Sequence, residues 1–557
     1  MAEWDMTIIK GNKRYPYDKT RIRNAIIQAY NQICYPDFDE IDMLLDEIED
    51  LIWAEAGEKR EIAVEKVENL IMSVLYREVP AVAREFSSYK MNKERIKKNP
   101  TEIEKVLYTN PEVELENANK KATLTHIKNS YLAEIPSKEE FFKVFPPACV
   151  EAHNKGIVYA HDSAYSVRDL TNCELLNLDY LLQHGCKINN TWVDKPHDFR
   201  TACTIATQIL THVASCTYGG CTINLLALAK FVDVSRQKIR KKLAEFIDDS
   251  NVLDRLATRE LEEEIRQGVQ TFMYQNLTLC SSVGQAVFLT VSVYLNESPE
   301  YVDDLILVFK EMLKQRIAGI PNEDGIAENP NFPKIIYFLD EDTMRGGKYY
   351  EITKLCAECS AKRLVPDYMS VKKHLDLKGV VTPSMGCRAL LSPYKDPKTG
   401  EFVTWGRFNC GVMSLNLPYI AMENNPDKSE EQLFLNLDKY LGIANQGIIW
   451  RVNHCAKIKA KSCPILWVYG GLATLDPEDD LSSLVYGGYA TVTLGYSGLY
   501  ECVKYITGED HWKDEKAIKL AHKILDYLNR NNRELGERLN VSVALYGTPK
   551  HTWGFIK

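Results

Sequence analysis

The sequence contains no long hydrophobic run. No stretch approaches the roughly 18 consecutive apolar residues by which a membrane-spanning helix is recognised, and mean hydropathy is −0.28. The N-terminus, which reads MAEWDMTIIKGNKRY, shows no apolar core followed by a small-residue cleavage site, as a secretory signal would. We therefore expect a cytoplasmic protein without a membrane partner.

Positive charge is not in excess either. The chain has 68 Lys and Arg residues against 77 Asp and Glu residues, a formal net charge of −9. No strong overall field draws such a protein onto nucleic acid, so we expect no direct DNA binding. A polyanionic ligand would have to meet a local basic site.

Paired cysteine motifs are almost absent. The 15 cysteines are scattered singly and their number is odd, which favours thiols in a reducing compartment over a disulfide framework. Cys356 and Cys359 have metal-ligand spacing, but no second close pair follows, and we predict no metal site. A buried thiol pair is the favoured interpretation there, and also for Cys216 and Cys221.

The first hundred residues read as a separate module. Thr7–Lys10, the turn signal Gly11-Asn12 and Lys13–Tyr15 predict a hairpin, and apolar residues at helical spacing predict helices over 22–30, 41–52 and 61–75. We expect a domain over residues 1–95 and a linker with leading helices over 96–150. Basic residues crowd the hairpin and the start of the first helix, where phosphate could bind or where they could form a solvated face; they are Lys10, Lys13, Arg14, Lys19, Arg21 and Arg23.

The remainder alternates between strand-like and helix-like patterns. Short apolar runs at 157–160, 286–291, 335–338, 465–468 and 541–545 predict buried strands, and residues 515–535 predict an amphipathic helix. This order is typical of an α/β domain with parallel strand pairing. Residues 172–175 are expected to begin a helix.

Polar groups stand where the predicted strands end. His161 and Asp162 follow the strand at 157–160, and Asn409 lies in the glycine-flanked segment 405–412. Cys387 sits in a turn-like segment, Pro383–Arg388, that could present a thiol to a cavity or could be an ordinary loop.

The N-terminal pattern resembles the ATP-cone, the regulatory nucleotide-binding module of ribonucleotide reductases. The resemblance rests on Ile8–Gly11, on Pro16–Asp18 with Arg21-Ile22, and on the segment 82–89. Arg21 stands where the family usually has Lys, and only Lys10 represents the usual Lys-Arg pair before the glycine. The resemblance implies that Lys10, Gly11, Arg14 and Arg21 bind ATP or dATP as allosteric effectors.

The rest of the chain resembles the anaerobic (class III) ribonucleoside-triphosphate reductases. The matching motifs occur in the family's order and are His161-Asp162, Asn172-Cys173, Gly219-Gly220, Gly284-Gln285, Met385–Arg388, Gly406-Arg407 with Asn409, Asn416–Pro418 and Tyr546–Pro549. The resemblance implies an α/β fold, specifically a ten-stranded α/β barrel of the ribonucleotide reductase and glycyl radical enzyme type over residues 151–557, C-terminally incomplete. It also implies a homodimer that reduces ribonucleoside triphosphates.

The same resemblance implies roles for individual residues. Cys387 would be the thiyl residue on a finger loop, Cys173 the second cysteine facing the 2′ carbon, and Asn409 the side chain that hydrogen-bonds to the substrate hydroxyls. His161 and Asp162 would line the pocket and Thr548 would meet substrate phosphate. Formate is the implied reductant, although Cys410, next to Asn409, keeps a thiol reductant open.

One departure concerns the end of the sequence. In the family, a four-cysteine zinc unit and a glycyl-radical loop follow the Tyr-Gly-Thr-Pro motif, and neither is found before Lys557. We expect the glycyl radical and the structural zinc only in a missing or separate C-terminal segment, with a radical-SAM iron–sulfur activase as partner. A fragment, a split-gene product and a degenerate copy stay open.

Two other functions are considered. The first is a catalytically inert, nucleotide-binding regulatory remnant of such a reductase, suggested by the absent radical loop. The second, another glycyl-radical enzyme acting on an acid or alcohol, is disfavoured because such an enzyme has no reason to carry an ATP-cone.

Overall fold

The structure, a computed structural model, describes residues 6–11, 13–30, 36–87, 101–108, 125–282, 287–386 and 389–548. The chain divides into two compact units, Met1–Pro111 and Glu112–Lys557. The finer division expected from the sequence, into 1–95, 96–150 and 151–557, stays a prediction. No helix among the described residues is both long and apolar enough to cross a membrane.

The N-terminal unit is a small α+β domain. Its elements are β1 (Thr7–Lys10), β2 (Lys13–Pro16), α1 (Lys19–Tyr30), α2 (Phe38–Ala56), β3 (Glu61–Ala63), α3 (Val64–Glu78), α4 (80–87) and α5 (Glu102–Tyr108). Strand β1 pairs antiparallel with β2 and parallel with β3, so the predicted hairpin is confirmed. The prediction of a helix from Glu61 was wrong by three residues, because Glu61–Ala63 hydrogen-bond to β1 before α3 begins.

The helices of this unit bury apolar stripes against one another and the sheet. Asp37 caps α2 by accepting hydrogen bonds from the backbone N–H groups of Asp39 and Glu40. Residues at helical spacing on α2, among them Ile41, Ile48 and Ile52, are completely buried. The domain therefore has a hydrophobic core of its own.

The second unit begins with helices and ends on a strand. Its helices are α6 (Thr125–Val144), α7 (Pro147–Asn154), α8 (Ser163–Ser166), α9 (Leu178–His184), α10 (Phe199–Val213), α11 (Leu226–Ala244), α12 (Ser250–Thr278), α13 (Val302–Ala318), α14 (Tyr350–Arg363), α15 (Val371–Lys378), α16 (Leu417–Met422), α17 (Glu430–Ala456), α18 (Pro464–Trp467), α19 (Ser482–Val485), α20 (Leu499–Thr507) and α21 (Glu515–Leu539). Its strands are β4 (Val158–Ala160), β5 (Glu174–Leu175), β6 (Cys186–Ile188), β7 (Thr191–Val193), β8 (Cys221–Asn224), β9 (Leu289–Val293), β10 (Ile320–Pro321), β11 (Ala327–Glu328), β12 (Lys334–Leu339), β13 (Asp367–Ser370), β14 (Arg407–Asn416), β15 (Thr491–Ser497) and β16 (Ser542–Gly547).

A nine-stranded sheet organises this unit. Its order is β13-β12-β9-β8-β5-β14-β15-β16, and β4 pairs with β14 off this path. The strands form two parallel blocks, which join in antiparallel fashion where β5 meets β14. The predicted α/β class with parallel pairing is confirmed, and the described residues supply nine strands where the resemblance implied ten.

Three local predictions were wrong. Residues 465–468, expected as a strand, lie in and just after helix α18, because Pro464 occupies its first turn and favours helix there. Residues 172–175, expected to begin a helix, contain strand β5, because β8 and β14 supply partners on both sides. The strand expected at 286–291 begins only at Leu289, and Ala286 lies outside the described residues.

Candidate active site

Cys173 lies at the junction of the two parallel blocks, just before β5. Its side chain is 5% exposed and its sulfur accepts a hydrogen bond from the backbone N–H of Gly220 at 3.1 Å. A Cβ on the preceding Gly219 would lie 2.5 Å from this sulfur and would overlap the Asn172 amide oxygen. A glycine is therefore required at 219, and the Gly219-Gly220 turn covers the thiol.

The loop predicted to carry the thiyl residue packs on Cys173. Met385 and Ala389 are buried in one cluster with Cys173, and the Met385 N–H donates to the Ala389 carbonyl at 2.9 Å. Gly386 lies against the same turn, since its Cα is 3.1 Å from where a Cβ on Gly220 would be. Cys387 itself, with Arg388, lies outside the described residues.

Asn409 faces Cys173 across the strand pair. Its backbone N–H donates to the Cys173 carbonyl at 2.8 Å, and its side chain is 1% exposed. The amide Nδ2 donates to Thr493 Oγ1 at 2.6 Å, and Oδ1 accepts from the Gly411 N–H at 2.7 Å. These bonds fix the orientation of the amide.

A bulge in β14 brings a second group of polar residues onto the face of Asn409. The register to β15 shifts between Asn409 and Val412, so that Asn409 pairs with Thr491 and Ser414 with Gly495. One extra residue reverses the alternation of side chains, and Asn409 and Ser414 therefore share a face.

His161 and Thr548 meet through Ser414 on this face. His161 Nε2 lies 2.8 Å from Ser414 Oγ, which lies 2.8 Å from Thr548 Oγ1. A Cβ on Gly495 would overlap the Ser414 hydroxyl and lie 2.5 Å from that of Thr548. The structure thus brings together two predicted substrate-binding residues, about 13 Å along the sheet from Asn409, since four residues of β15 separate the two positions at roughly 3.3 Å per residue.

Asp162, the remaining predicted pocket residue, sits in a strained turn. Its φ is 52°, in the left-handed region, and its carbonyl accepts from the backbone N–H of Ser166, the last residue of α8. Non-glycine residues adopt this conformation rarely, and Asp more readily than most. The turn joins the end of β4 to the start of α8.

Cys410 points to the opposite side of the sheet from Asn409. It is 1% exposed in the main core, where its thiol hydrogen-bonds to that of Cys455 on α17. The Cys410 thiol and the nearby Arg451 guanidinium lower the pKa of Cys455, whereas the pKa of Cys410 is raised. Arg451 donates to the Cys410 carbonyl at 2.5 Å and to the Ser166 carbonyl at 2.6 Å. The pair lies behind the site.

The other cysteine pairs are structural neighbours within the core. Cys356 and Cys359 are both buried on α14, as predicted. Cys221 is buried, whereas the half-buried Cys216 hydrogen-bonds to Cys463 and not to Cys221. No disulfide and no cluster of three or more metal-ligating side chains is found among the described residues.

The predicted effector residues lie on the surface of the N-terminal unit. Lys10 and Gly11 form the exposed end of the hairpin, where Gly11 has φ 58°. Arg14 pairs with Glu61 at 3.0 Å and Arg21 with Asp18 at 3.5 Å. Exposed pairs of this kind contribute little stability, so they can open for a phosphate at small cost.

Ser414 and Thr493 belong to the site, and the sequence analysis missed both. Each is almost completely buried on a strand, with its hydroxyl bonded to a predicted site residue. A polar residue within an otherwise apolar strand was the available signal. The bulge that puts Ser414 and Asn409 on one face could not be predicted in this way, because Gly411 is its only mark in the sequence.

Comparison with known proteins identifies the family of the chain. The family model described as anaerobic ribonucleoside-triphosphate reductase matches residues 116–554, and the ATP cone domain model matches residues 6–95. The chain is 30% identical to an anaerobic ribonucleoside-triphosphate reductase of Haemophilus influenzae, over 97% of this chain and 76% of that protein. The protein of the same name from Enterobacteria phage T4 is 32% identical, with 80% of this chain and 73% of that one covered.

Solved structures show the same fold. An anaerobic ribonucleotide reductase matches with a TM-score of 0.54 and 12% identity, over 92% of this chain and 74% of that one. The Thermotoga maritima enzyme of that name, with dATP bound in its specificity site, gives 0.55 and 13% identity, over 82% and 76%.

Fold and family matches together define an oxidoreductase with an ATP-cone domain at residues 6–95. The chain belongs to the anaerobic ribonucleoside-triphosphate reductases, as the sequence resemblance implied.

Proposed function

We propose that this chain reduces ribonucleoside triphosphates to deoxyribonucleoside triphosphates, with Cys387 as the thiyl residue and Cys173 as the cysteine that faces the 2′ carbon. The observation that carries the proposal is the packing of Met385, Gly386 and Ala389 around the Cys173 turn. If Cys387 and Cys173 act on the same ribose from opposite sides, the loop that carries Cys387 has to lie close to Cys173, as this packing places it.

The chemistry explains the two thiols. The Cys387 thiyl takes the hydrogen atom from C3′, which forms an S–H bond and leaves a carbon radical. That radical weakens the 2′ C–O bond, and the hydroxyl leaves as water after it gains a proton. Cys173 donates a hydrogen atom to C2′, and its sulfur radical takes a hydrogen atom from formate. The carbon dioxide radical anion so formed passes its electron, with one proton, to the 3′ ketone left by the loss of water. The C3′ radical that results takes its hydrogen back from Cys387, which is again the thiyl.

Formate is the reductant in this proposal. The net reaction converts ribonucleotide, formate and one proton into deoxyribonucleotide, carbon dioxide and water. The other described members of the cluster around Cys173 are apolar and include no second cysteine; they are Leu175, Met385, Ala389 and Leu391, with Trp405 and Tyr546 at the edge. Because Cys410 faces α17, it is not placed to form a disulfide with Cys173, which supports a small reductant over a thiol pair.

The remaining polar residues would hold the substrate. The Asn409 amide is oriented by Thr493 and would bind the ribose hydroxyls near Cys173. The Ser414 and Thr548 hydroxyls, with His161 behind them, would donate to phosphate further along the strand. Asp162 would line the pocket beside His161.

Partners complete the proposal. The thiyl would be generated from a glycyl radical on a C-terminal segment that also holds the structural zinc, after activation by a radical-SAM iron–sulfur activase. We propose a homodimer in which the ATP-cone binds ATP and dATP. The cone match and the dATP in the Thermotoga maritima structure support nucleotide effectors.

The direct test is turnover by the activated complex, with the radical segment supplied, under anaerobic conditions with formate. Cys387→Ser should abolish deoxyribonucleotide formation, at least about 1,000-fold, because an oxygen radical at this position is not formed by the same exchange. Cys280→Ser, which changes an exposed cysteine, is the matched control and should leave turnover unchanged. Activity of Cys387→Ser, or nucleotide binding by wild type without any turnover, would contradict the proposal.

A further inference from the structure

A carboxyl group is buried directly behind Cys173. Glu174 is 0% exposed on β5, and because neighbouring side chains of a strand face opposite sides, it lies on the other side of the sheet from the Cys173 thiol. Thr217 Oγ1 donates to Glu174 Oε1 at 3.3 Å, and Cys221, which pairs with Glu174 in the register of β5 and β8, lies beside the same carboxyl. Glu174 Oε2 has no hydrogen-bond partner among the described residues. No ion pair of the described residues includes Glu174.

The surroundings of this carboxyl favour its neutral form. Burial raises the pKa of Glu174 well above its usual value, and the weak hydrogen bonds from Cys221 and Thr217 offset this only in part. A neutral carboxyl both donates and accepts hydrogen bonds, so it can hold a hydroxyl and a thiol together.

Thr217 and Cys221 are the two ends of the turn that covers Cys173. Between them lie Gly219 and Gly220, and the Glu174 backbone N–H donates to the Gly220 carbonyl at 3.1 Å. The Gly220 N–H in turn donates to the Cys173 sulfur. A shift of a few tenths of an ångström in this turn changes both that hydrogen bond and the contact with Gly386.

We propose that Glu174 is a positioning residue for Cys173. Glu174 holds Thr217 and Cys221 in place, and the Gly219-Gly220 turn between them therefore stays on the Cys173 sulfur and against Gly386. The importance of this role for catalysis rests on the proposed function of Cys173. The effect of Glu174 on the position of the turn does not, and it is measured without turnover.

The experiment measures how fast iodoacetamide alkylates Cys173 in the full chain without radical activation, resolved by peptide mass spectrometry. Cys173 is 5% exposed, so alkylation requires the turn to open. Glu174→Gln keeps size, neutrality and hydrogen bonding, and its rate should stay within about threefold of wild type. Glu174→Met keeps the volume but not the hydrogen bonds, and Thr217→Val removes one partner. Both should react at least about tenfold faster.

Two controls separate this effect from general loosening. Thr207→Val changes another buried threonine, on α10, and should leave Cys173 alkylation unchanged. The double variant of Glu174→Met and Thr217→Val should react no faster than the faster single variant, since both remove the same interaction. Melting temperatures show whether each variant is folded.

The outcomes are distinct. A wild-type rate for Glu174→Met, or a rate for Glu174→Gln as high as that of Glu174→Met, would overturn the positioning role. In the activated complex, the role predicts that Glu174→Met lowers kcat at least about tenfold with KM within threefold, and that Glu174→Gln restores kcat. Absence of turnover in wild type would instead contradict the proposed function and leave the alkylation result intact.

Discussion

At the scale of residues, the candidate site depends on how the Cys173 sulfur is held in place. The Cys173 thiol accepts from a backbone N–H at 3.1 Å, donates to Asn172 Oδ1 at 3.2 Å and lies beside a glycine where no Cβ fits. The next residue, Glu174, places a carboxyl in the core, where burial raises its pKa and no ion pair of the described residues includes it. Such a group makes stability depend on pH.

Glu174→Gln should become more stable relative to wild type as pH rises. The folded protein keeps the Glu174 proton above the pH at which the unfolded chain, with an ordinary pKa near 4.5, releases it. The stability that the neutral acid contributes is therefore complete below that pH and is lost as pH rises, by up to about 1.4 kcal/mol per pH unit. The glutamine does not titrate.

Urea unfolding of the two proteins between pH 5 and pH 8 measures this difference. We expect the gap between their transition midpoints to shift steadily in favour of Glu174→Gln. A gap that is the same at every pH would show that Glu174 is ionised in the folded protein.

Site residues differed in how far the sequence could predict them. Asn409 and Cys173 could be identified by resemblance, and the structure shows them as cross-strand neighbours. The meeting of His161 and Thr548 could not be derived from residue types, because it depends on Ser414 and on the register of three strands. Their catalytic roles, like that of Cys387, stay predictions.

At the scale of elements, the bulge in β14 decides which side chains share the site. Gly411 has φ 152°, and a Cβ there would lie 3.0 Å from Arg451 Nε and 3.3 Å from the Tyr218 hydroxyl. Without the extra residue, Ser414 would face α17 and Cys410 would share the face of Ser414. The bulge therefore puts Ser414 on the face of Asn409 and leaves Cys410 on the face of α17.

Gly411→Ala should damage this arrangement. The added methyl group has no room beside Arg451, so we expect a loss of about 1–3 kcal/mol in unfolding free energy and a rise in KM for the substrate. Gly442→Ala is the control, because Gly442 lies in α17 with nothing within 4 Å of its Cβ position.

Chemical denaturation and steady-state kinetics of the two variants check this prediction. The control should be stabilised by about 0.5–1 kcal/mol, as is usual for Gly to Ala within a helix. Equal behaviour of both variants would mean that the bulge tolerates a side chain.

Elements with a strong periodic pattern could be predicted from sequence, and short ones could not. The apolar stripe of α21 and the buried run of β12 both appear where expected. Strand β5 has two residues, too few for a pattern, and exists because β8 and β14 flank it. In α18, the proline at the first turn outweighs the β-branched composition that favoured a strand.

At the scale of the whole molecule, the two units match two different family models. The N-terminal unit has its own core and exposes cationic side chains at one end of its sheet. The second unit carries every other predicted site residue that the structure describes. The family match assigns the first unit to the ATP-cone domain, and its effector residues stay a proposal.

Charge reversal at the hairpin should weaken effector binding. In the full chain, the double variant Lys10→Glu with Arg14→Glu should bind ATP and dATP at least about tenfold more weakly, because two cations that would meet phosphate become anions. Arg77→Glu, near the far end of α3 and about 20 Å along that helix from β3, is the control.

Isothermal titration calorimetry with ATP and with dATP measures both variants. The control should bind as wild type does. An unchanged affinity of the hairpin variant would place the effector elsewhere on the cone.

The central claim is that two cysteines divide one reaction, with Cys387 removing the 3′ hydrogen and Cys173 serving the 2′ carbon. The most direct measurement is the fate of a 3′-deuterium label on the ribonucleoside triphosphate in the activated complex. Cys173→Ser should exchange the label with solvent hydrogen yet form no deoxyribonucleotide, whereas Cys387→Ser should do neither. Label exchange by Cys387→Ser, or product from Cys173→Ser, would contradict the account.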